Sequence, residues 1–149
     1  MAFRAGEVKR WRVALTHFGV LKRESALDEY KEEALRYGIA LGNEFARKHY
    51  AIIVDNNEQS HTAIVVPITS RKPYDNERLY AGDITLNPDE HGLKAFLSVP
   101  SIAKTDCIRQ VSHERFIKVV PFYISTTLRD RIRKAVNYAM CDSSAIDKR

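Results

Sequence analysis

The first 37 residues carry apolar side chains at the spacing of an α-helix. Two series follow one another: Val8, Trp11, Leu15 and Phe18, then Leu27, Tyr30, Ala34 and Leu35. Ser25 and Asp28 have the form of a capping box, a hydroxyl followed three residues later by an acid. Spacings of three and four residues place each series on one side of a helix. The pattern therefore predicts a helical N-terminal extension over residues 1–37, in which the first helix ends near Gly19 and the second near Gly38 or Gly42.

The pattern changes to short β-branched runs between residues 38 and 140. The two strongest runs are YAIIV at residues 50–54 and AIVVPI at residues 63–68. Weaker runs predict further strands: Leu79–Leu86, Phe96–Val99, Cys107–Val111 and Phe116–Val120. Polar turns separate the runs, among them NPDEHG at residues 87–92. Short strands about ten residues apart, with turn signals between them, are typical of a small antiparallel barrel or sandwich.

A second helix is predicted at the end of this domain. Thr127 and Asp130 form another capping-box pattern. Apolar residues follow at helical spacing, so the helix should pack one face on the strands: Leu128, Ile132, Ala135, Val136 and Ala139. Residues 141–149 are polar and are expected to form a flexible tail. The predicted fold class is thus mainly β with flanking helices, divided into an extension (1–37), a barrel domain (38–140) and a tail (141–149).

The positive charge of the chain is concentrated at its N-terminus. The net charge is +5, and residues 1–23 contain six Lys or Arg and one Glu, which accounts for all of it. A basic segment of this kind suits nucleic acid or an acidic partner. It equally suits a weakly ordered solubilising arm. Both interpretations remain open at this stage.

Length and composition favour a single soluble domain. A chain of 149 residues, 44% hydrophobic and 29% charged, can bury a core without disulfide staples. No apolar run approaches the roughly 18 residues of a membrane helix, and no secretory signal is evident. Cys107 and Cys141 are the only cysteines, too few for a disulfide framework. A cytoplasmic location is expected.

Residues that could bind a phosphate lie where the second strong strand ends. Residues 62–71 read TAIVVPITSR, so Thr69, Ser70 and Arg71 follow directly on an apolar strand. Hydroxyls can donate hydrogen bonds to a phosphate, and an arginine can bind it with two parallel bonds. The same residues also suit an ordinary polar turn. The histidines and cysteines are too scattered for a zinc site, and no metal or cofactor is expected.

Four segments resemble, in the family's order, the MazF/PemK family of toxin ribonucleases. GNEFARKH at residues 42–49, followed by YAIIV, resembles the family's glycine–polar–glutamate loop, which leads to a basic residue, a proline and an apolar strand. TAIVVPITSR resembles the second core strand, which ends in threonine or serine. Ser101–Phe116 resembles the segment that runs from a serine–apolar pair to an isoleucine–arginine strand and a turn ending in arginine. The C-terminal helix is the fourth segment.

This resemblance implies a small SH3-like antiparallel barrel that is usually a homodimer. It implies metal-independent, sequence-selective cleavage of single-stranded RNA, usually messenger RNA, and an antitoxin protein that blocks the RNA groove. The family's catalytic hydroxyl falls on Thr69, and its usual arginine–proline pair falls on His49 and Tyr50. Its first strand, a glycine–acid pair followed by aromatics, would have to come from residues 36–41.

The expected roles of individual residues follow from the chemistry of metal-free RNA cleavage, which needs proton transfer and stabilisation of a charged phosphorane. His49 suits proton transfer because imidazole titrates near neutral pH, although it could also be a surface residue at a strand start. Thr69 and Arg47 complete the predicted catalytic set. Five further residues are predicted to bind RNA or phosphate: Glu44, Lys48, Ser70, Arg71 and Arg109. Four tyrosines could stack on bases or be half-buried strand residues: Tyr37, Tyr50, Tyr74 and Tyr80.

Two other functions use the same residues. A non-enzymatic module could bind nucleic acid through the barrel and the basic arm, with catalysis lost where His49 replaces the family's arginine. A toxin of the related gyrase-poison kind would share the barrel but depends on an aromatic C-terminal end. This chain ends in Ile146–Arg149, so that possibility ranks last.

Overall fold

The computed structural model describes residues 6–40, 45–71 and 82–141, in which two helices flank short and long β-strands. The helices are α1 (Lys31–Tyr37) and α2 (Thr126–Cys141). The strands are β1 (Arg12–His17), β2 (Val20–Leu21), β3 (Ile39–Ala40), β4 (Lys48–Asn57), β5 (Thr62–Ser70), β6 (Asp83–Leu86), β7 (Ser101–Lys104), β8 (Arg109–Ser112) and β9 (Phe116–Tyr123). Within these ranges, no helix is long and apolar enough to cross a membrane.

Seven of the strands form one antiparallel sheet. The strand order is β6–β7–β5–β4–β1–β9, and β8 also pairs with β5. One edge of β5 pairs with β4, and the other is shared by β8 at residues 62–65 and β7 at residues 68–70. The two-residue strands β2 and β3 form a separate parallel pair. The prediction of a mainly β, antiparallel fold with flanking helices is confirmed.

The two strongest apolar runs form the longest strands, because both of their faces are buried. Ile52 on β4 and Val66 on β5 belong to one core cluster, whereas their neighbours Ile53 and Val65 belong to a second. Successive side chains of a strand point to opposite faces, so a strand covered on both sides is apolar at consecutive positions. Leu128 and other apolar residues of α2 pack in the first cluster, as the helical spacing predicted.

Residues 12–17, predicted to be helical, form strand β1 instead. This strand lies inside the sheet and pairs antiparallel with β4 on one side and β9 on the other. Val13 and Ala14 are adjacent and fully buried in different core clusters, which a strand with two covered faces allows and a surface helix does not. Residues 36–41 were expected to supply the family's first strand. Of these, Arg36 and Tyr37 end α1, and Ile39–Ala40 form the two-residue strand β3, which pairs with β2 and not with the large sheet.

The described part of the basic N-terminal segment is packed on the sheet. Arg12 donates hydrogen bonds from Nε to the carbonyl of Val120 at 3.2 Å and from Nη1 to that of Glu7 at 3.0 Å. Arg10 forms an ion pair with Asp55 at 2.8 Å. These residues are therefore an ordered part of the fold, and their side chains have partners within the chain.

The remaining elements agree with the sequence in part. The helix predicted to follow Ser25 is present as α1, which begins at Lys31, and the strand predicted at residues 107–111 lies at Arg109–Ser112. Residues 96–99 are not a strand. The Leu97 N–H bonds to the Leu93 carbonyl at 2.9 Å, which begins this loop with a helical turn. Strand β7 was not predicted. Residues 79–81 of the predicted third strand and residues 142–149 of the predicted tail lie outside the described residues.

The C-terminal helix begins earlier than its sequence pattern indicates. The Ser125 hydroxyl accepts a hydrogen bond from the Leu128 N–H at 3.3 Å, which is the bond of an N-cap. The predicted cap, Thr127, lies within the first turn of α2 and is exposed.

Candidate active site

Strands β4 and β5 bring the two central predicted residues together. Ala51 pairs with Pro67, and the same register continued by two residues places His49 opposite Thr69. Directly opposed residues of an antiparallel pair share a face of the sheet. Ala51 lies in the second core cluster, so His49 and Thr69 lie on the face that this cluster covers.

An open pocket of about 240 Å³ lies at this end of the two strands. Four residues predicted from the sequence line it together: Lys48, His49, Thr69 and Ser70. The opposite wall is formed by the loop before β7, with Phe96, Ser98 and Val99. Alternation along β4 and β5 places Lys48 and Ser70 on the face of the first core cluster. His49 and Thr69 lie on the opposite face, at the same end of the two strands.

His49 is held in one tautomer by the sheet. Its Nδ1 lies 3.2 Å from the Ile68 carbonyl oxygen, which can only accept a hydrogen bond, so Nδ1 carries the hydrogen. In the neutral ring, Nε2 therefore keeps the lone pair that can take a proton. Burial lowers the pKa of His49 below its ordinary value of 6.5, against the opposing backbone hydrogen bonds of Ile68 and Ala46. Neutral pH thus leaves His49 in its proton-accepting form.

Two phenylalanines enclose the His49 ring. Phe45 meets it edge to face, with centroids 4.9 Å apart, and the Phe18 ring lies 6.2 Å away. The Arg109 guanidinium lies over the Phe18 ring, 5.7 Å from its centroid. Arg109 pairs with Val65 across β8 and β5, which places it on the face that carries His49. The sequence alone left this orientation open.

Other residues predicted from the sequence do not line the pocket. Arg47 has a positive φ of 65° and forms an ion pair with Glu24. Arg71 follows Ser70, and its N–H bonds to the Pro100 carbonyl at 2.9 Å. Tyr37 stacks on His17, with ring centroids 4.2 Å apart. Glu44, Tyr74 and Tyr80 lie outside the described residues.

The sequence pattern did not predict the loop that forms one wall of the pocket. Residues 96–99 were interpreted as a strand, whereas they run across the ends of β4 and β5. The available signal was the serine–apolar pair Ser101-Ile102, because Ser101 pairs with Ser70 and brings the preceding loop to the pocket. Tyr50, predicted to be a stacking or strand residue, lines the pocket from β4.

Metal-binding side chains are not grouped in the parts of the chain that the structure describes. In these ranges, no three His, Cys, Asp or Glu side chains lie together in a way that could hold an ion.

The fold and the matched residues agree with one protein family. The family of PemK-like, MazF-like toxins of type II toxin–antitoxin systems matches residues 35–140. MazF (Form-I) from Deinococcus radiodurans has a TM-score of 0.56 and 14% identity, over 87% of this chain and 93% of that one. An endoribonuclease in complex with its cognate antitoxin, from Mycobacterial species, has a TM-score of 0.52 and 13% identity, over 89% of this chain and 94% of that one. Curated proteins give no match.

At such low identity the two solved structures show a shared fold and no more. The family match spans most of the chain and includes the strands that carry His49 and Thr69. The chain therefore belongs to the family of PemK-like, MazF-like toxins of type II toxin–antitoxin systems.

Proposed function

We propose that this protein is a toxin endoribonuclease that cleaves single-stranded RNA, messenger RNA in particular, without a metal ion. One observation carries the proposal. Four residues selected from the sequence for phosphate chemistry line a single open pocket, on strands that lie within the range of the family match.

His49 is the proposed general base of this reaction. Its Nε2 removes the proton from the 2′-hydroxyl of the RNA, and the 2′-oxygen then attacks the adjacent phosphorus. The bond from phosphorus to the 5′-oxygen breaks, leaving a 2′,3′-cyclic phosphate on one product. The imidazolium formed in the first step returns a proton to the departing 5′-oxygen. General acid–base catalysis of this kind contributes about 10²- to 10⁴-fold.

Thr69 and Lys48 are the proposed stabilisers of the charged phosphorane. The Thr69 hydroxyl donates a hydrogen bond to a phosphate oxygen, and the Lys48 ammonium group neutralises the developing charge. Aimed donors of this type contribute about 3–4 kcal/mol each. Ser70 supplies a second hydroxyl, and Arg109 and Arg71 hold the neighbouring phosphates. Arg47 and Glu44 remain candidates for binding RNA through the loop before β4.

A cognate antitoxin, a cytoplasmic location and a homodimer complete the proposal. The family match to type II toxins supports the antitoxin. An antitoxin that covers the pocket would block access of RNA to His49 and Thr69. The cytoplasm is where messenger RNA is available as a substrate.

The test is cleavage of a long single-stranded RNA in EDTA, with the ends of the products mapped. We expect discrete cuts that leave 5′-hydroxyl ends. Thr69→Ala should reduce kcat/KM about 10²- to 10³-fold, because it removes one transition-state donor. Thr62→Ala is the matched control, since Thr62 lies at the other end of β5 and bonds Ser60 and Gln110.

The rival function is a binding module without catalysis. It predicts that the purified protein binds RNA with a steep salt dependence but leaves every RNA intact. If the parent protein cleaves RNA and Thr69→Ala cleaves it equally well, Thr69 has no part in the mechanism.

A further inference from the structure

The Phe18 ring lies between the proposed general base and an arginine on a different strand. Phe18 directly follows β1, is 2% exposed and belongs to the second core cluster. Its ring centroid lies 6.2 Å from that of His49, and the Arg109 guanidinium lies 5.7 Å from the same centroid. We propose that Phe18 is a positioning residue, which contacts no RNA itself but holds the Arg109 guanidinium on the His49 side of the sheet for contact with an RNA phosphate. This inference rests on the proposed function.

The contact between Phe18 and Arg109 has the geometry of a cation–π interaction. A guanidinium placed over an aromatic ring is attracted by the negative face of the ring, within about 6 Å of its centroid. The distance of 5.7 Å at Phe18 lies inside this limit, and the attraction is stronger where water is excluded, as it is around this buried ring. The pairing of Arg109 with Val65 brings the arginine to the face of the sheet that the ring occupies. Phe18 thus supplies a specific contact for Arg109 in addition to its place in the core.

The contact with Phe18 leaves the positive charge of Arg109 available to an anion. Within the residues that the structure describes, no Asp or Glu forms an ion pair with Arg109, whereas Arg47 pairs with Glu24. An aromatic ring orients a guanidinium without neutralising it, so the N–H groups can still donate to a phosphate. Because the Arg109 side chain is held before RNA arrives, it loses less conformational entropy on binding.

The backbone next to the ring is fixed by residues just before β4. The Phe18 N–H bonds to the Arg47 carbonyl at 2.8 Å, and the Arg47 N–H bonds to the Gly19 carbonyl at 2.7 Å. Gly19 has a φ of 113°, and a Cβ there would lie 3.1 Å from the Ala40 nitrogen, so this turn needs glycine. His49 follows Arg47 by two residues, so the same bonds set the spacing between the Phe18 ring and the general base.

The test replaces Phe18 with phenylalanines that carry increasing numbers of ring fluorines, introduced at that single codon. Fluorine withdraws electron density from the face of the ring and changes its size little, so the series weakens the attraction to Arg109 stepwise and keeps the packing. We expect kcat/KM for a single-stranded RNA to fall with each fluorine, mainly through a higher KM, because Arg109 binds the ground state and the transition state alike. The full loss, in Phe18→Leu, should be about 2- to 30-fold, the factor that a cation–π contact is worth.

The Arg109→Gln variant decides whether the effect passes through the arginine. In that background the fluorine series at Phe18 should leave kcat/KM unchanged, since no guanidinium faces the ring. Phe122 is the matched control position: its ring contacts Phe96, with centroids 5.5 Å apart, and it does not line the pocket. The same fluorine series at Phe122 should leave cleavage at the parental rate.

The outcomes separate this inference from the proposed function. A fluorine series at Phe18 that leaves kcat/KM unchanged, or that lowers it equally in the parent and in Arg109→Gln, overturns the positioning role and leaves the endoribonuclease in place. Parental activity in Arg109→Gln does the same, because it removes the arginine from RNA binding. A parent that cuts no RNA overturns the proposed function itself. Thermal melts establish that the fluorinated proteins are folded, and these proteins test the inference even where Phe18→Leu destabilises the core.

Discussion

His49 Nδ1 donates its hydrogen to the Ile68 carbonyl oxygen across the pairing of β4 and β5, at 3.2 Å. The bond fixes which ring nitrogen is free for chemistry, and burial lowers the pKa of the ring. A base that is already neutral below pH 6.5 can work over the whole physiological range.

The lowered pKa of His49 predicts the pH dependence of cleavage. We expect kcat/KM to rise with pH through the lowered His49 pKa and to level off, with a midpoint below 6.5, because only the neutral ring takes a proton. His49→Gln should reduce kcat/KM about 10²-fold or more and abolish this acid limb. Phe45→Leu, which removes the ring that meets His49 edge to face, should move the midpoint up toward 6.5. An acid limb that persists in His49→Gln would assign the proton transfer to another group.

The same pKa shift makes the free energy of unfolding depend on pH. Unfolded His49 binds a proton below pH 6.5, while folded His49 binds one only at lower pH, so stability rises with pH between these values. The contribution of His49 should therefore be fully present above pH 6.5 and decline as the pH falls toward the lowered value. Urea unfolding of the parent and His49→Gln at pH 5 and pH 7.5 isolates this term. An equal loss of stability on acidification in both proteins would contradict it.

The ion pair of Arg47 and Glu24 offers a test of the role of Arg47. Arg47 was predicted to be catalytic, but its side chain is 56% exposed, pairs with Glu24 and does not line the pocket. Fully exposed pairs are worth about 0.2–1 kcal/mol. The Glu24 side chain is only 12% exposed, so a double-mutant cycle should give a coupling at or above the upper end of that range. We expect Arg47→Gln and Glu24→Gln to reduce RNA cleavage by similar, small factors. A loss of about 100-fold in Arg47→Gln alone would show that Arg47 acts on the RNA directly.

The pair of Asp83 and Lys104 should be a strong determinant of stability. The two side chains are 2% and 15% exposed, and Lys104 Nζ lies 2.9 Å from Asp83 Oδ1. Removing Asp83 leaves the Lys104 charge with only the longer contact to Asp106, so Asp83→Asn should lower the free energy of unfolding by about 3 kcal/mol. Asp106→Asn is the control, because Asp106 is more exposed and lies 3.6 Å from Lys104. Equal effects of the two variants in urea unfolding would contradict this ranking.

The start of α2 can be tested with two hydroxyl residues. Ser125→Ala should destabilise the protein by about 1 kcal/mol, because it removes the acceptor for the Leu128 N–H. Thr127→Ala should change stability by no more than about 0.5 kcal/mol, since Thr127 is exposed within the first turn. A larger loss of stability in Thr127→Ala than in Ser125→Ala, measured by thermal unfolding, would show that Thr127 is the N-cap, as the capping-box pattern predicted.

Local patterns in the sequence determined much of this fold. Runs of β-branched residues predicted β4 and β5, and the apolar spacing after residue 126 predicted α2, because each pattern reports burial on a regular element. The polar ends of β4 and β5 suggested a phosphate site, and the family resemblance singled out His49 and Thr69 within it. Each of these two residues lies at one end of an apolar strand, so the neighbouring sequence is enough to indicate its position.

Tertiary pairing decided the rest. The sequence pattern of residues 8–18 fits a helix, but β4 and β9 together offer two partners for a strand, and pairing with both outweighs a weak helical periodicity. The sequence also could not show that Arg109 lies over Phe18, that Arg47 pairs with Glu24, or that residues 96–99 form the wall of the pocket. Each of these contacts joins residues at least 20 positions apart, and such contacts exist only once the sheet has brought them together.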